Sequence, residues 1–169
     1  LAGLESRDQA KTFIYALCYG ARDRKLSTIL GKNTRDTKRI REQFLDNLPS
    51  FKTLKDRVAR AATKKFLKGL DGRRLIVRSE HSALNTLLQG AGSIVMKQAL
   101  VLFRSYIKDL DAKIVANVHD EWQVEVREDQ AEEVGKRGIQ AIIDAGSLLN
   151  LNCPLNGEYN VGNNWSETH

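Results

Sequence analysis

Residues 113–126 read KIVANVHDEWQVEV, and this stretch decides the fold. Two runs rich in β-branched residues, 113–118 and 121–126, flank the polar pair His119-Asp120, which is the pattern of a tight antiparallel hairpin. Upstream the patterning is helical. Residues 7–30 are mostly helix-compatible, and 37–48 place Ile40, Phe44 and Leu48 at i, i+4 and i+8. Pro49 marks a break, because the residue before a proline avoids helical angles. A third helical stretch, 51–67, carries Leu54, Val58 and Ala61 on one face. The Asp71-Gly72 turn signal and the β-branched centre of 73–78 (RRLIVR) then predict a short strand, and 82–108 a long helix. Beyond the hairpin, 128–149 reads as an amphipathic helix whose acidic start suits its N-terminus. The tail, with Asn152, Asn156, Gly157, Asn160, Gly162, Asn163 and Asn164, reads as irregular. Helices first, then strands mixed with helices, give an α+β class rather than a βαβ succession.

The 169 residues suit one ordinary domain or two small lobes, and 41% hydrophobic content supports a core. There is no internal repeat, low-complexity tract or Pro/Gly-rich linker. Cys18 and Cys153 are too few for a disulfide framework or a four-cysteine zinc site. The longest apolar-leaning stretch, 83–103, contains Asn85, Gln89, Lys97 and Gln98 and makes a poor membrane span. With no secretory leader pattern, the expectation is a soluble protein of a reducing, cytoplasmic compartment, with no membrane partner. The start at Leu1 rather than Met leads us to expect a fragment or a processed chain.

Charge is unevenly spread. Residues 1–80 hold 20 Lys/Arg against 9 Asp/Glu, a net of +11, and residues 81–169 hold 7 against 12, a net of −5. A basic half beside an acidic half suits one lobe that meets phosphates and another that holds carboxylates. A solvated basic helical surface would give the same count.

Three constellations carry chemistry. Arg7, Lys11, Tyr15 and Tyr19 recur every four residues and are followed by Gly20. On an α-helix each such step drifts about 40°, so all four fall within roughly 120° of one face. Two cations and two aromatics on one face fit a ligand with an anionic end and a flat end, as in a nucleoside triphosphate. The same residues also suit an amphipathic helix with snorkelling cations over core aromatics. Second, His119-Asp120-Glu121 at the hairpin tip can present carboxylate oxygens to a hard cation such as Mg²⁺, or form an ordinary solvated turn. Third, His81, Asn85 and Gln89 recur every four residues at a helix start. Amide side chains there can hydrogen-bond the acceptors that every base pair shows in the minor groove, or simply cap the helix. Gly90 and Gly92 weaken that helix by about 1 kcal/mol each relative to Ala and leave room for close approach of another backbone.

Together these constellations resemble the family A (Pol I-like) DNA polymerases, in particular the replicative type of short-tailed phages. Residues 7–21 (RDQAKTFIYALCYGA) look like motif B on the fingers helix, and 117–121 (NVHDE) look like motif C in the palm. Residues 69–73 through 81–89 are similar to the strand and helix joining fingers to palm, and 164–169 look like the C-terminus of the phage subgroup. The resemblance implies a fingers portion at 1–72 and a palm portion at 73–169. It implies that Arg7 and Lys11 grip the incoming dNTP, Tyr15 packs on its sugar and Tyr19 stacks near the templating base. Tyr at position 15 is the family variant tolerant of a missing 3′-hydroxyl. Asp120 would be the metal ligand, with Glu121 a secondary carboxylate and His119 near the primer terminus. Asn85 and Gln89 would lie on the minor groove of the primer-template DNA. His81, where many cellular members carry Arg, would lie beside them.

The family's motif A, which supplies the other metal-binding aspartate, precedes motif B, and Glu5 is not in a matching context. Thumb and exonuclease are also absent from these residues. The resemblance therefore implies part of a DNA-directed DNA polymerase that uses a two-metal Mg²⁺ site in template-directed nucleotidyl transfer. It would be inactive without the missing N-terminal part, with motif A and the thumb carried by a companion N-terminal polypeptide or by the rest of a longer chain. The other functions open to the sequence are a non-catalytic nucleic-acid-binding fragment and a remnant of a split polymerase. Binding of the chain to DNA is expected to fall steeply as salt rises, because the basic half would displace counterions from phosphates. A flat salt response in an anisotropy titration would contradict phosphate contacts.

Overall fold

The computed structural model describes Leu4 and residues 6–168; residues 1–3, Glu5 and His169 lie outside the described residues. The chain forms two compact units, Leu1–Gly90 and Ala91–His169.

In the first unit, helices α1 (Arg7–Cys18), α2 (Asp23–Leu30), α3 (Thr34–Asp46) and α4 (Pro49–Ala62) follow one another, each packed on the next. Local chemistry sets their ends. The Ser6 hydroxyl accepts the Gln9 N–H at 3.1 Å to start α1, and the Asn33 side chain accepts the Asp36 N–H at 2.9 Å to start α3. Gly31, in the left-handed region at φ 60°, closes α2. Phe13 and Leu17 of α1 pack with Leu26, Leu30, Ile40, Phe44 and Leu45, and the Phe13 and Phe44 rings meet edge to face at 5.6 Å. Each such side chain contributes about 1.5–3 kcal/mol on burial. A second cluster joins Val58 and Ala62 of α4 to Leu67, Val77, Ala83 and Leu84. Leu67 comes from strand β1 (Phe66–Lys68), which pairs antiparallel with β2 (Arg74–Ile76). Helix α5 (Ala83–Tyr106) follows, entered through a short 3-10 turn whose Ser82 N–H is capped by Ser79.

The structure refines some sequence expectations here and corrects others. The 7–30 stretch is two helices, because Gly20 at φ 82° turns the chain between them. Pro49 opens α4 instead of only ending α3, since its fixed φ and missing N–H suit the first helical position. The 51–67 stretch ends as helix at Ala62; Lys65 at φ 61° redirects the chain, and Phe66 and Leu67 enter a strand. At Gly90 a Cβ would meet the Leu75 side chain at 3.0 Å and not backbone, whereas a Cβ at Gly92 would project into open space. By length and composition the run Glu80–Tyr106 is apolar enough to cross a membrane. Its Ala83 and Leu84 close the second cluster and its Phe103 the core of the second unit.

The second unit is built on the hairpin. Strands β3 (Ala112–Val118) and β4 (Glu121–Val126) pair antiparallel with Ala112 opposite Val126 and Val118 opposite Glu121. A bulge between Ile114 and Ala116 pushes Val115 out to 60% exposure and places Asn117 opposite Trp122. Trp122, Val124 and Val126 pack with Ala112 and Ile114 against Phe103, Ile107, Val134 and Ala141. The Phe103 and Trp122 rings stack at 5.0 Å. Helix α6 (Ala131–Leu148) supplies Val134 and Ala141. Arg137 ties it to the end of α5 by donating to the Tyr106 carbonyl at 2.5 Å, and it pairs with Asp109 just beyond at 2.6 Å, a hydrogen bond that holds the Asp109 carboxyl below its usual range. The tail is irregular from 149 to 164, as expected, but it lies back along α6. Leu155 packs on Gly146, Gly157 on Ile142 and the Tyr159 ring on Gly135. A four-residue helix, α7 (Trp165–Thr168), closes the described chain.

Among the described residues of the first unit, Gly20 is the most tightly constrained glycine. Its N–H donates to the Leu17 carbonyl at 3.1 Å and the Ala21 N–H to the Ala16 carbonyl at 2.9 Å, the Schellman pattern that needs a left-handed residue. A Cβ there would also lie 2.0 Å from the His81 carbonyl oxygen. Gly20→Ala is therefore expected to destabilise by about 3 kcal/mol or more, combining left-handed strain with a backbone clash. Gly31→Ala, left-handed with open space around it, should lose only about 1 kcal/mol. Equal losses in urea unfolding would contradict the close approach at Gly20.

Candidate functional site

The helical ladder faces solvent. Phe13 and Leu17, the core residues of α1, are buried, while Arg7 and Lys11 are exposed and Tyr15 and Tyr19 are 53% and 54% exposed. Snorkelling cations over core aromatics do not describe this helix, because the aromatic rings on that face are not in the core. The Lys11 ammonium stands 6.0 Å from the Tyr15 ring centroid, at the outer limit of a cation–π contact. Tyr19 is the C-cap of α1 and lies just past the last helical turn. A shallow concavity beside the ladder is lined by Thr12, Tyr15, Ala16, Tyr19, Gly20, Ala21 and Lys25. The face thus presents cations at its N-terminal end and phenol rings beside an open hollow at its C-terminal end.

The Gly20 corner brings two of the three minor-groove candidates to the end of this ladder. Without a side chain at position 20, the His81 backbone reaches the turn, and the Arg22 guanidinium donates to His81 Nε2. The Gln89 amide donates to the Tyr19 hydroxyl at 3.3 Å. Asn85 sits half-buried in the first turn of α5, one turn from Gln89. Arg22 had no signal in the sequence; its partner lies 59 residues away.

In the second unit the hairpin turn consists of His119 and Asp120 alone, between the paired residues Val118 and Glu121. His119 adopts φ 54°, the positive value that two-residue hairpin turns require at their first position. Both His119 and Asp120 are exposed, and Asp120 makes no hydrogen bond or ion pair among the described residues. Glu121 differs. It is half-buried, and its Oε1 accepts the Trp165 indole N–H at 2.9 Å and the Gln123 amide. Sequence reasoning missed both Trp165 and Gln123 as partners of Glu121.

Among the described residues no group of three His, Cys, Asp or Glu side chains is placed to hold a metal ion. The donor set still fits a share in a Mg²⁺ site. Mg²⁺ takes one or two carboxylates and completes its shell with water and substrate phosphates, and Asp120 offers an exposed, unengaged carboxylate.

Comparison with known proteins gives one consistent answer. The description of DNA polymerase family A matches residues 3–167. The chain is similar to the DNA-directed DNA polymerase of Escherichia phage Phieco32, with 39% identity over 100% of this chain and 29% of that protein. It is also similar to that of Escherichia phage T7, with 35% identity over 99% of this chain and 27% of that protein. It thus spans less than a third of the length of these phage relatives. Its fold is similar to the POL domain of Pol1 from M. smegmatis, solved in complex with DNA primer-template and dNTP. The TM-score is 0.75 at 27% identity, covering 82% of this chain and 27% of that one.

If the ladder serves a ligand and not the core, its aromatic residues should be dispensable for stability. Tyr15→Ala is expected to change unfolding free energy by no more than about 0.5 kcal/mol, as for an ordinary surface site. Phe13→Ala should lose about 3–5 kcal/mol. A loss at Tyr15 comparable to that at Phe13 would return the ladder to a structural role.

Proposed function

Because this chain belongs to the family A DNA polymerases, we propose that it is a fingers portion (1–72) and a palm portion (73–169) of a phage-type DNA-directed DNA polymerase. The reaction is nucleotidyl transfer in DNA replication: a primer 3′-hydroxyl attacks the α-phosphorus of a dNTP and pyrophosphate leaves. The observation that carries this reading is the solvent-facing ladder Arg7–Lys11–Tyr15–Tyr19, whose cations and rings are not used for the core.

Arg7 and Lys11 hold the triphosphate. The Arg fork takes two oxygens at once and Lys acts as a point charge, so together they neutralise charge that grows on the departing pyrophosphate. Tyr15 packs on the sugar and Tyr19 stacks near the templating base. Asn85 and Gln89, with His81 beside them, meet the minor groove of the primer-template, where acceptors common to all base pairs report pair shape and not sequence.

Asp120 holds Mg²⁺, with Glu121 as a secondary carboxylate and His119 near the primer terminus. When bound, a pair of such ions activates the primer hydroxyl and neutralises the phosphates. The second bridging aspartate belongs to a motif A outside these residues, carried with the thumb by a companion polypeptide or by the rest of a longer chain, so these residues alone are inactive. The enzyme acts in the cytoplasm of an infected or host bacterial cell. The net charge of +11 on residues 1–80 also favours a second reading, a non-catalytic nucleic-acid-binding fragment or remnant of a split polymerase.

Primer extension separates the two. Extension is expected only when the chain is combined with the N-terminal polymerase part, and Asp120→Ala should reduce it by orders of magnitude while DNA binding stays near wild type. Lys11→Ala should lower kcat/KM for dNTP by about tenfold or more, the loss of one charge-assisted phosphate contact. No extension from any mixture, with DNA binding intact, would favour the non-catalytic reading.

A further inference from the structure

We propose that α7 is a strap on the palm hairpin and that Trp165 is a positioning residue for Glu121, leaving Asp120 as the one tip carboxylate open to a cation. This rests on the metal role proposed for Asp120.

The geometry is a two-point attachment. Trp165 and Thr168 are three apart on α7 and so share a face, about 4.5 Å apart along the axis. Glu121 and Gln123 are two apart on β4 and share a face of the hairpin, about 6.8 Å apart. The two pairs meet: the Trp165 indole N–H donates to Glu121 Oε1 at 2.9 Å, and Thr168 Oγ1 lies 3.3 Å from Gln123 Oε1. The Gln123 amide nitrogen closes the set on Glu121 Oε1, so one carboxylate oxygen takes two donors.

Indole is a donor only, so the Trp165 contact exists only while position 121 offers an acceptor. The strap itself is held by Glu167, which accepts the Asn163 N–H at 2.8 Å and the Asn164 amide at 2.6 Å.

This arrangement gives adjacent carboxylates different work. Glu121 Oε1 is committed to protein donors, so its negative charge is fixed in place beside the turn. Asp120, exposed and unengaged among the described residues, keeps its oxygens for a cation. The fixed charge of Glu121 raises the local cation concentration without spending both carboxylates as ligands.

The test uses the full chain with Mn²⁺ as the probe, an ion that accepts the same oxygen ligands. Two readouts are taken: Mn²⁺ affinity by water-proton relaxation, and hydrogen exchange of the ¹⁵N-labelled Trp165 indole. Trp165→Phe keeps a ring and removes the N–H, and it should weaken Mn²⁺ about three- to tenfold with thermal stability unchanged. Glu121→Ala should speed exchange of the Trp165 indole at least tenfold, whereas Glu121→Gln, which keeps the acceptor, should hold it near wild type. Asp120→Asn should abolish Mn²⁺ binding at this tip.

Wild-type Mn²⁺ affinity in Trp165→Phe, or indole exchange indifferent to Glu121→Ala, would overturn the strap. Mn²⁺ binding that survives Asp120→Asn while the indole remains protected would instead overturn the metal role of Asp120 and leave the attachment standing.

Discussion

A side chain at position 20 would set its Cβ 2.0 Å from the His81 carbonyl oxygen, and the first unit is arranged around that missing side chain. Gly20 ends α1 with a left-handed turn, and the same turn admits the backbone of the segment that leads into α5. From this one contact follow the Arg22–His81 pair and the Gln89–Tyr19 hydrogen bond. Residues separated by about 60–70 positions in sequence therefore meet at the C-terminal end of the ladder. Any residue larger than glycine would push His81 and Gln89 away from Tyr19, and the candidate base-recognising end of the helix would lose its neighbours.

The helix itself divides its labour by face. Phe13 and Leu17 supply the packing that stabilises the unit, and nothing in the core depends on Arg7, Lys11, Tyr15 or Tyr19. Large aromatic rings left half in water forgo about half of the roughly 1.5–3 kcal/mol that full burial of such a side chain brings. In the second unit the division falls within one turn. Asp120 is held out by a two-residue hairpin, and Glu121, one residue on, is engaged by Trp165 and Gln123.

Much of this was legible in the sequence, and the reasons are local. The hairpin follows from the β-branched runs on both sides of His119-Asp120, which permit little else, and the register closes on those two residues. The four-residue spacing placed the ladder on one face because a helix has 3.6 residues per turn. What escaped was set by tertiary contact. Phe66-Leu67-Lys68 is too short to show a period, and only the pairing with Arg74–Ile76 and the burial of Leu67 make it a strand. The bulge at Val115 leaves no mark in composition. Trp165 meets Glu121 across 44 residues, from a tail whose asparagines and glycines signal only irregular chain.

The central claim is that the exposed face of α1 grips a nucleoside triphosphate, and direct binding tests it. Titrating a dNTP into the chain while following the ring resonances of Tyr15, with Tyr19 observed in the same spectra, should give saturable shifts at Tyr15. Those shifts should disappear when Arg7 and Lys11 are both replaced by Ala. A Tyr15 resonance that stays still at millimolar dNTP, or shifts that persist in the double variant, would contradict the account.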